Sequence, residues 1–474
     1  MVTYAYPFAL WWEAPPVLFH LPFLLLSLIG RLTGLPLAFE VLRIAGAAAS
    51  GAALAGLSAR LFRRRAWAVW LAVVSAAGGA WFWPAAVFQT IKISGADGLT
   101  EIWEYLPRAM GPFFSWLPFI GQNLVYPLEC FYHALVLGCL NFLVRGRPKA
   151  AFACNIAVWL SNPFPSVALN AAVVPYLAYQ FLTAKSRTAR SHAGHWLLLW
   201  MAAGLAAYGY YHIFLGRWEI TREAARMHIT PLAKPPTLLQ TAGLLGPSSV
   251  ALVWSVVSRA GRRHVWGQAD WSLFAILALS QLALLQHGHL GGERAFQPYH
   301  FNRGYLQLGL CVVLFRWLVV IARQPRSLPR WCVLLLLTLL PDQALWLTKH
   351  LTTPQIAGVV HRDTMSAVSA AARVDGPRIV LSDGFMIPPL IAALTSHEPF
   401  DMPESIVIPF SAERQRLAHE AASRDDVQFT DLGITLAIVR RDGSLHRALS
   451  TEGWTQHTAH GSVVVLKPPD SSTP

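Results

Sequence analysis

The sequence predicts a mostly α-helical, polytopic membrane protein: about ten transmembrane helices followed by a small extracytoplasmic α/β domain. Three observations predict it. The chain of 474 residues is 54% hydrophobic and only 13% charged, about half the charged share of an average soluble protein. Apolar runs long enough to cross ~30 Å of hydrocarbon recur along most of the chain. Basic residues gather in short clusters between those runs, at 60–65, 145–149, 185–190, 259–263 and 323–330, which is the pattern of cytoplasmic loops. The formal net charge of +13 is therefore broken up by apolar runs. It does not form the continuous basic face that tracks a phosphate backbone, and no nucleic-acid partner is expected.

Taken in order, the candidate spans are 41–61, 66–84, 125–144, 148–163, 164–182, 195–215, 237–258, 271–286, 304–322 and 331–349. Each basic cluster follows a span that runs inward and precedes one that runs outward, so both chain ends fall outside. The apolar segment 17–34 keeps this parity if it lies on, or dips into, the outer face. The resulting layout is an outer-face loop with an interfacial helix (1–40) and a transmembrane domain (41–349). An external α/β domain (350–467) and a disordered polar tail (468–474) follow. In the external domain, β-branched runs at 378–381, 406–408, 434–439 and 463–466 read as strands. Helical patterns lie at 362–373, 386–396 and 411–423.

The five cysteines, Cys130, Cys139, Cys154, Cys311 and Cys332, fall in apolar segments and read as small buried hydrophobes. No basic n-region follows Met1, so no cleavable signal peptide is expected. The nineteen tryptophans cluster near span ends, where aromatic belts occur whatever the function.

The first eighty-odd residues carry a fixed order of features. Glu13-Ala14-Pro15-Pro16 leads into an apolar segment ending at Gly34. A second segment, Val41 to Ala59, has Arg43 near its start and ends in Arg60-Leu61-Phe62-Arg63-Arg64-Arg65. A third, Ala66 to Trp83, is closed by Pro84. This order resembles the GT-C class of membrane glycosyltransferases, of the protein mannosyltransferase and aminoarabinose transferase type. The resemblance implies a polyprenyl-phosphate-linked sugar as donor and an extracytoplasmic lipid, glycan or protein as acceptor. It implies residence among the lipids of a bacterial-type inner membrane. It also implies that a first transmembrane helix and a loop with a catalytic carboxylate precede Met1. One departure is Ala14, where the class has a basic or acidic-basic dipeptide on the donor phosphate.

Such a transfer needs a carboxylate to deprotonate the acceptor hydroxyl and cations to hold the departing phosphate. Glu13 is one candidate acid, with helix capping as its plain alternative. In the loop 85–124 the resemblance implies Asp97, with Glu101 one turn on; the alternative is that Asp97 caps an amphipathic helix. In the loop 216–236, Arg217 and Arg222 are candidates for a lipid phosphate, or members of a solvated charged helix. The resemblance implies an Arg-Tyr pair before a late helix, loosely matched by Arg303-Gly304-Tyr305. Arg303 would supply a forked donor set for the phosphate and His300 a further donor. His287, His289, Glu293 and His300 have no specific metal-ligand spacing, and no metal or other cofactor is assigned. Asp342, an acid within the last span, is a functional candidate by its depth, or a structural one at the Pro341 break. Two rival readings remain open: a scaffold that keeps the architecture without catalysis, and a transporter, which would need discontinuous helices with polar groups at mid-membrane.

Overall fold

The computed structural model describes residues 20–110, 119–124, 126–218, 222, 235–291, 299–322, 330–352, 362–376, 378–383, 391, 395, 397–400, 411–423 and 428–469. Glu13 and the expected strand 406–408 lie outside them, as does most of the expected helix 386–396. The chain divides into two compact units. One holds Phe19–Phe214 with Ile229–Thr352; the other takes Thr353–Pro474 with Leu215–His228 and Met1–Leu18.

The first unit is helical. Its principal helices are α1 (Leu21–Thr33), α2 (Leu35–Leu61), α3 (Arg65–Ala77), α4 (Trp83–Ser94), α5 (Pro127–Val144), α6 (Pro148–Trp159), α7 (Pro163–Thr183), α8 (Arg187–Tyr208), α9 (Leu238–Leu245), α10 (Ser248–Val257), α11 (Ala269–Gln286), α12 (Tyr305–Ile321), α13 (Arg330–Leu337) and α14 (Pro341–Thr352). Among the described residues, five helical stretches are long and apolar enough to cross a membrane: Leu37–Leu61, Pro127–Val144, Arg187–Arg217, Ala269–Gln286 and Cys332–Lys349. A sixth appears if α9 and α10 count as one span; α1, α3 and α12 are apolar but shorter.

Small residues let the helices approach. Along α2, Ser50, Ala53 and Leu57 are buried, and a Cβ at Gly46 would come 2.8 Å from Cys130 of α5. The Ser50 hydroxyl donates to the Cys130 carbonyl at 3.2 Å. In a lipid environment, where tails are as apolar as leucine, this close packing and hydrogen bonding hold helices together. The central element is α12, buried at every position from Tyr305 to Phe315. Its Gly309 lies against α11, where a Cβ would come 2.8 Å from the Phe274 carbonyl oxygen and the Ala278 nitrogen.

Three expected spans are broken, each at a residue pair that disfavours helix. The span 66–84 stops at Ala77 before Gly78-Gly79, and α4 restarts with Pro84 in its first turn. The span 237–258 bends by 87° between α9 and α10, at Gly246 (φ 51°) and Pro247. The span 331–349 keeps its length as Cys332–Lys349, but its helix is interrupted before Pro341. Proline lacks an N–H and glycine tolerates positive φ, so the ladder ends at these points. The freed backbone groups are met by one another. Gly79 N–H donates to the Leu339 carbonyl at 3.1 Å and Trp81 N–H to the Gly243 carbonyl at 2.6 Å. The indole N–H groups of Trp81 and Trp83 both donate to the Thr338 carbonyl, at 3.2 and 3.1 Å.

The second unit contains a five-stranded sheet with helices on both faces. Its elements are α15 (Arg362–Ala371), β1 (Ile379–Ser382), β2 (Glu398–Pro399), α16 (Ser411–Ser423), β3 (Leu436–Arg440), α17 (Ser444–Thr451), β4 (Thr455–His460) and β5 (Val463–Lys467). The order is β2-β1-β3-β5-β4; β2, β1 and β3 run parallel, and β5 is antiparallel to both β3 and β4. Strand alternation sorts the core. Leu436, Ile438, Val463 and Val465 join Ala367, Val368 and Ala371 of α15 on one face. Ala437, Val439, Val464 and Leu466 join Ala418 and Ala421 of α16 and Leu449 of α17 on the other. The polar strand β4 has exposed or half-buried residues throughout, so its sequence carries no apolar run to announce it.

Candidate functional site: a buried arginine at the head of α12

Two successive residues with positive φ, Arg303 (39°) and Gly304 (85°), turn the chain from the helical turn Tyr299–Asn302 into α12. Glycine fits the second position because a Cβ there would come 2.5 Å from the Ile120 nitrogen. The first is held by a non-glycine residue at a cost of order 1–3 kcal/mol. The Arg303 carbonyl sits 3.5 Å from Nδ2 of Asn123, whose amide also donates to the Phe119 carbonyl at 2.8 Å. This anchoring aims the Arg303 side chain at α5, where Nη1 donates to Oε1 of Glu129. The pair is largely shielded from solvent, with side-chain exposures of 11% and 19%.

Around this pair lie polar groups from four parts of the chain. The guanidinium carbon is 5.9 Å from the centre of the Tyr132 ring, and Nε2 of His20 is 3.1 Å from the Tyr132 hydroxyl. The His133 ring meets the Tyr305 ring edge-on at 5.3 Å. Glu129, Tyr132 and His133 sit three and four residues apart in α5 and so share a face. His133, Asn302 and Tyr305 are no more than 1% exposed. Both His133 ring nitrogens, both Asn302 amide atoms, the Tyr305 hydroxyl and Oε2 of Glu129 are buried with no hydrogen-bond partner among the described residues. Buried polar atoms in native proteins are nearly always paired with protein, water or ligand. A group of them beside a buried cation therefore marks a place that a polar ligand or water fits. Outside the spans, burial lowers the His20 imidazole to about 4, so it faces Tyr132 as a neutral ring.

The other expected site residues are dispersed. Asp97 and Glu101 lie on the 3-10 segment Ala96–Glu104 that follows α4; their side chains are outside the described residues. From the same segment Glu104 pairs with Lys349 of α14. His300 belongs to the turn that precedes Arg303, its side chain also undescribed. Arg217 and Arg222 are exposed and belong to the second unit. Asp342 is fully buried and accepts from the N–H groups of Phe82 (2.9 Å) and Trp83 (2.6 Å). It thus caps the start of α4 from another helix and ties two of the three breaks together. Among the described residues, no three His, Cys, Asp or Glu side chains are grouped as metal ligands would be.

The sequence reading missed Glu129, Tyr132 and His133. A signal was available: an acid inside an apolar span, with a tyrosine and a histidine on its own face, is costly in a membrane unless it is paired or used.

No protein-family model matches the sequence, and no curated protein matches it. Solved structures do match. The chain is similar to the crystal structure of the Archaeoglobus fulgidus oligosaccharyltransferase tethered with an acceptor peptide, at 12% identity and a TM-score of 0.44, over 92% of this chain and 62% of that one. It is also similar to the archaeal oligosaccharyltransferase AglB from the same organism, in complex with an inhibitory peptide and a dolichol-phosphate. There the identity is 10% and the TM-score 0.42, over 100% of this chain and 68% of that one. The chain thus spans less than two thirds of the length of the first of these structures.

Proposed function

We propose that this chain is a multi-pass membrane glycosyltransferase of the GT-C type that takes a sugar from a polyprenyl-phosphate donor. In this reading about ten spans cross a bacterial-type inner membrane, and the α/β unit is extracytoplasmic. The acceptor is an extracytoplasmic lipid, glycan or protein. The observation that carries the reading is Arg303: a buried guanidinium at the head of the central helix, held on a positive-φ turn and surrounded by buried polar atoms that have no partner among the described residues. Arg303 is also the residue that the sequence resemblance assigns to the donor phosphate. The acceptor hydroxyl attacks the anomeric carbon, the bond from that carbon to the phosphate oxygen breaks, and the hydroxyl proton passes to a carboxylate, assigned to Asp97 or Glu13. The phosphate leaves with the bonding pair, and its added charge is met by the forked donors of Arg303, with His300, Arg217 and Arg222 as further candidates.

The test is transfer from a radiolabelled polyprenyl-phosphate sugar in vesicles containing the protein. Arg303→Met should abolish transfer and Arg303→Lys retain a small fraction, since an ammonium cannot reproduce two parallel bonds. Undiminished transfer by Arg303→Met would overturn the assignment. A second reading, a scaffold without catalysis, draws support from Glu129, which already meets the Arg303 charge. It predicts no donor turnover and no binding of polyprenyl phosphate by the wild-type protein.

A further inference from the structure

The α/β unit carries a second polar site, away from its core. Helix α15 buries Ala367, Val368 and Ala371 against the sheet. At 100° per residue, Arg362, Ser366, Ser369 and Arg373 fall within roughly a 60° arc on the opposite side. The helical turn extends past Ala371 far enough to keep Arg373 in line, because its N–H donates to the Ala370 carbonyl at 3.2 Å. These residues, with Met365, Ala370 and His460 at the end of β4, line a groove of about 320 Å³. Arg362 and Arg373 are exposed, and neither forms an ion pair within the described residues. Nε2 of His460 is enclosed yet has no hydrogen-bond partner among them. The nearest acid on the helix, Asp363, is turned to the β4–β5 hairpin, where Oδ2 accepts from the Ser462 N–H at 3.4 Å.

We infer that this groove binds an anionic saccharide segment, with one negative group at each arginine. Eleven residues of helix separate the two α-carbons by roughly 16 Å, so the two guanidiniums can stand apart along the groove and each meet its own negative group. An extended ligand with spaced charges matches that separation. Between the arginines the lining offers two hydroxyls, a methyl and a thioether, with His460 at the side. Hydroxyl-rich chains find hydrogen-bond partners there. A nucleobase would want an aromatic face, and the described lining of the groove has no Trp, Tyr or Phe. The inference deepens the acceptor side of the proposed transfer and rests on that reading for its biological role; binding itself is independent of it.

The experiment is calorimetric titration of the full-length protein in detergent micelles with a uronic-acid oligosaccharide, a neutral oligosaccharide of equal length, and inorganic phosphate. Saturable binding of the acidic chain is expected, with weaker or no binding of the other two. The Arg362→Ala/Arg373→Ala double variant should bind about tenfold more weakly, as loss of two exposed charge-assisted contacts implies. Raised salt should weaken binding by the wild type more than by the variant. Circular dichroism and melting of the variant check that the exposed changes leave the fold intact. Equal binding of neutral and acidic chains, no binding of the acidic chain, or unchanged affinity in the folded double variant would overturn the inference. Repeating the titration on Arg303→Met protein separates the two hypotheses: binding there should match wild type even where transfer is lost.

Discussion

Replacing Glu129 by leucine removes the counter-charge of Arg303 and leaves the guanidinium in place. With 11% and 19% side-chain exposure, the pair behaves as a buried one, and breaking such a pair by removing one member costs about 3–5 kcal/mol. An exposed pair would cost about 0–1 kcal/mol. The compensation left to Arg303 is limited: the Tyr132 ring at 5.9 Å contributes about 0.5–2 kcal/mol as a cation–π contact. Glu129→Gln keeps the shape and one acceptor oxygen, so it should lie between, near 2 kcal/mol on the scale of a hydrogen bond to a charged group. Adding Arg303→Met to Glu129→Leu removes the stranded charge and should recover about 2–3 kcal/mol, a coupling far outside additivity. The assay is reversible unfolding of the purified protein in mixed micelles, followed by tryptophan fluorescence, over the four members of the double-mutant cycle. A loss below about 1 kcal/mol for Glu129→Leu, or additive single changes, would refute the view of this pair as a buried lock between α5 and α12.

Three further outcomes are expected. Asp342→Ala should cost about 2–4 kcal/mol, because two N–H groups at the start of α4 lose a charged acceptor, while Asp342→Asn should lose roughly half as much; the same micelle unfolding measures both, and equal losses would count against the cap. Gly304→Ala should abolish stable accumulation or shift the unfolding midpoint strongly, since its Cβ would come 2.5 Å from the Ile120 nitrogen at φ 85°; a wild-type midpoint would show that the turn can relax. In the α/β unit, burial raises the Asp383 carboxyl above the usual range, with the Arg440 N–H bond only partly offsetting it. The native state therefore keeps a proton that the unfolded chain has released, and this component of stability falls as pH rises from the ordinary carboxylate value through the raised one. Asp383→Asn should remove that slope, and melting against pH for the two proteins checks it.

Much of the architecture was legible because hydropathy and loop charge act over many residues. The runs behind α2, α5 and α11 are apolar for a whole span, and no local detail overrides them. The breaks were less legible. Gly78-Gly79, Gly246-Pro247 and Leu340-Pro341 each lie inside a run that remains apolar on both sides, so a hydropathy reading sees one helix where the backbone makes two. The same limit hid the partner of Arg303. A late Arg-x-Tyr pattern pointed to Arg303 itself, while Glu129 lies 174 positions away and meets it only once α5 and α12 pack. In the α/β unit, β1, β3 and β5 announce themselves through β-branched runs. Strand β4, Thr455–His460, is polar, and the two-residue β2 is too short to carry a pattern.

The broken helices bear on which reading of the chain is best supported. Discontinuous helices with a buried acid between them are what a transporter would show, and this fold has three breaks and a fully buried Asp342. Yet the Asp342 carboxylate is already engaged. Both Asp342 oxygens accept backbone N–H bonds, and the freed carbonyls of Thr338, Leu339 and Gly243 take donors from Trp81, Trp83 and Gly79. A carboxylate engaged in this way is a clamp for α4 and offers little to a passing ion. At the head of α12 the balance is reversed. A guanidinium is held on a strained turn, and among the described residues His133, Asn302, Tyr305 and one Glu129 oxygen retain unspent hydrogen-bonding capacity. Buried capacity of that kind is unfavourable unless something polar occupies it. The place in this unit that gains most from a charged, oxygen-rich ligand is therefore Arg303 and not Asp342, which favours phosphate recognition over ion passage.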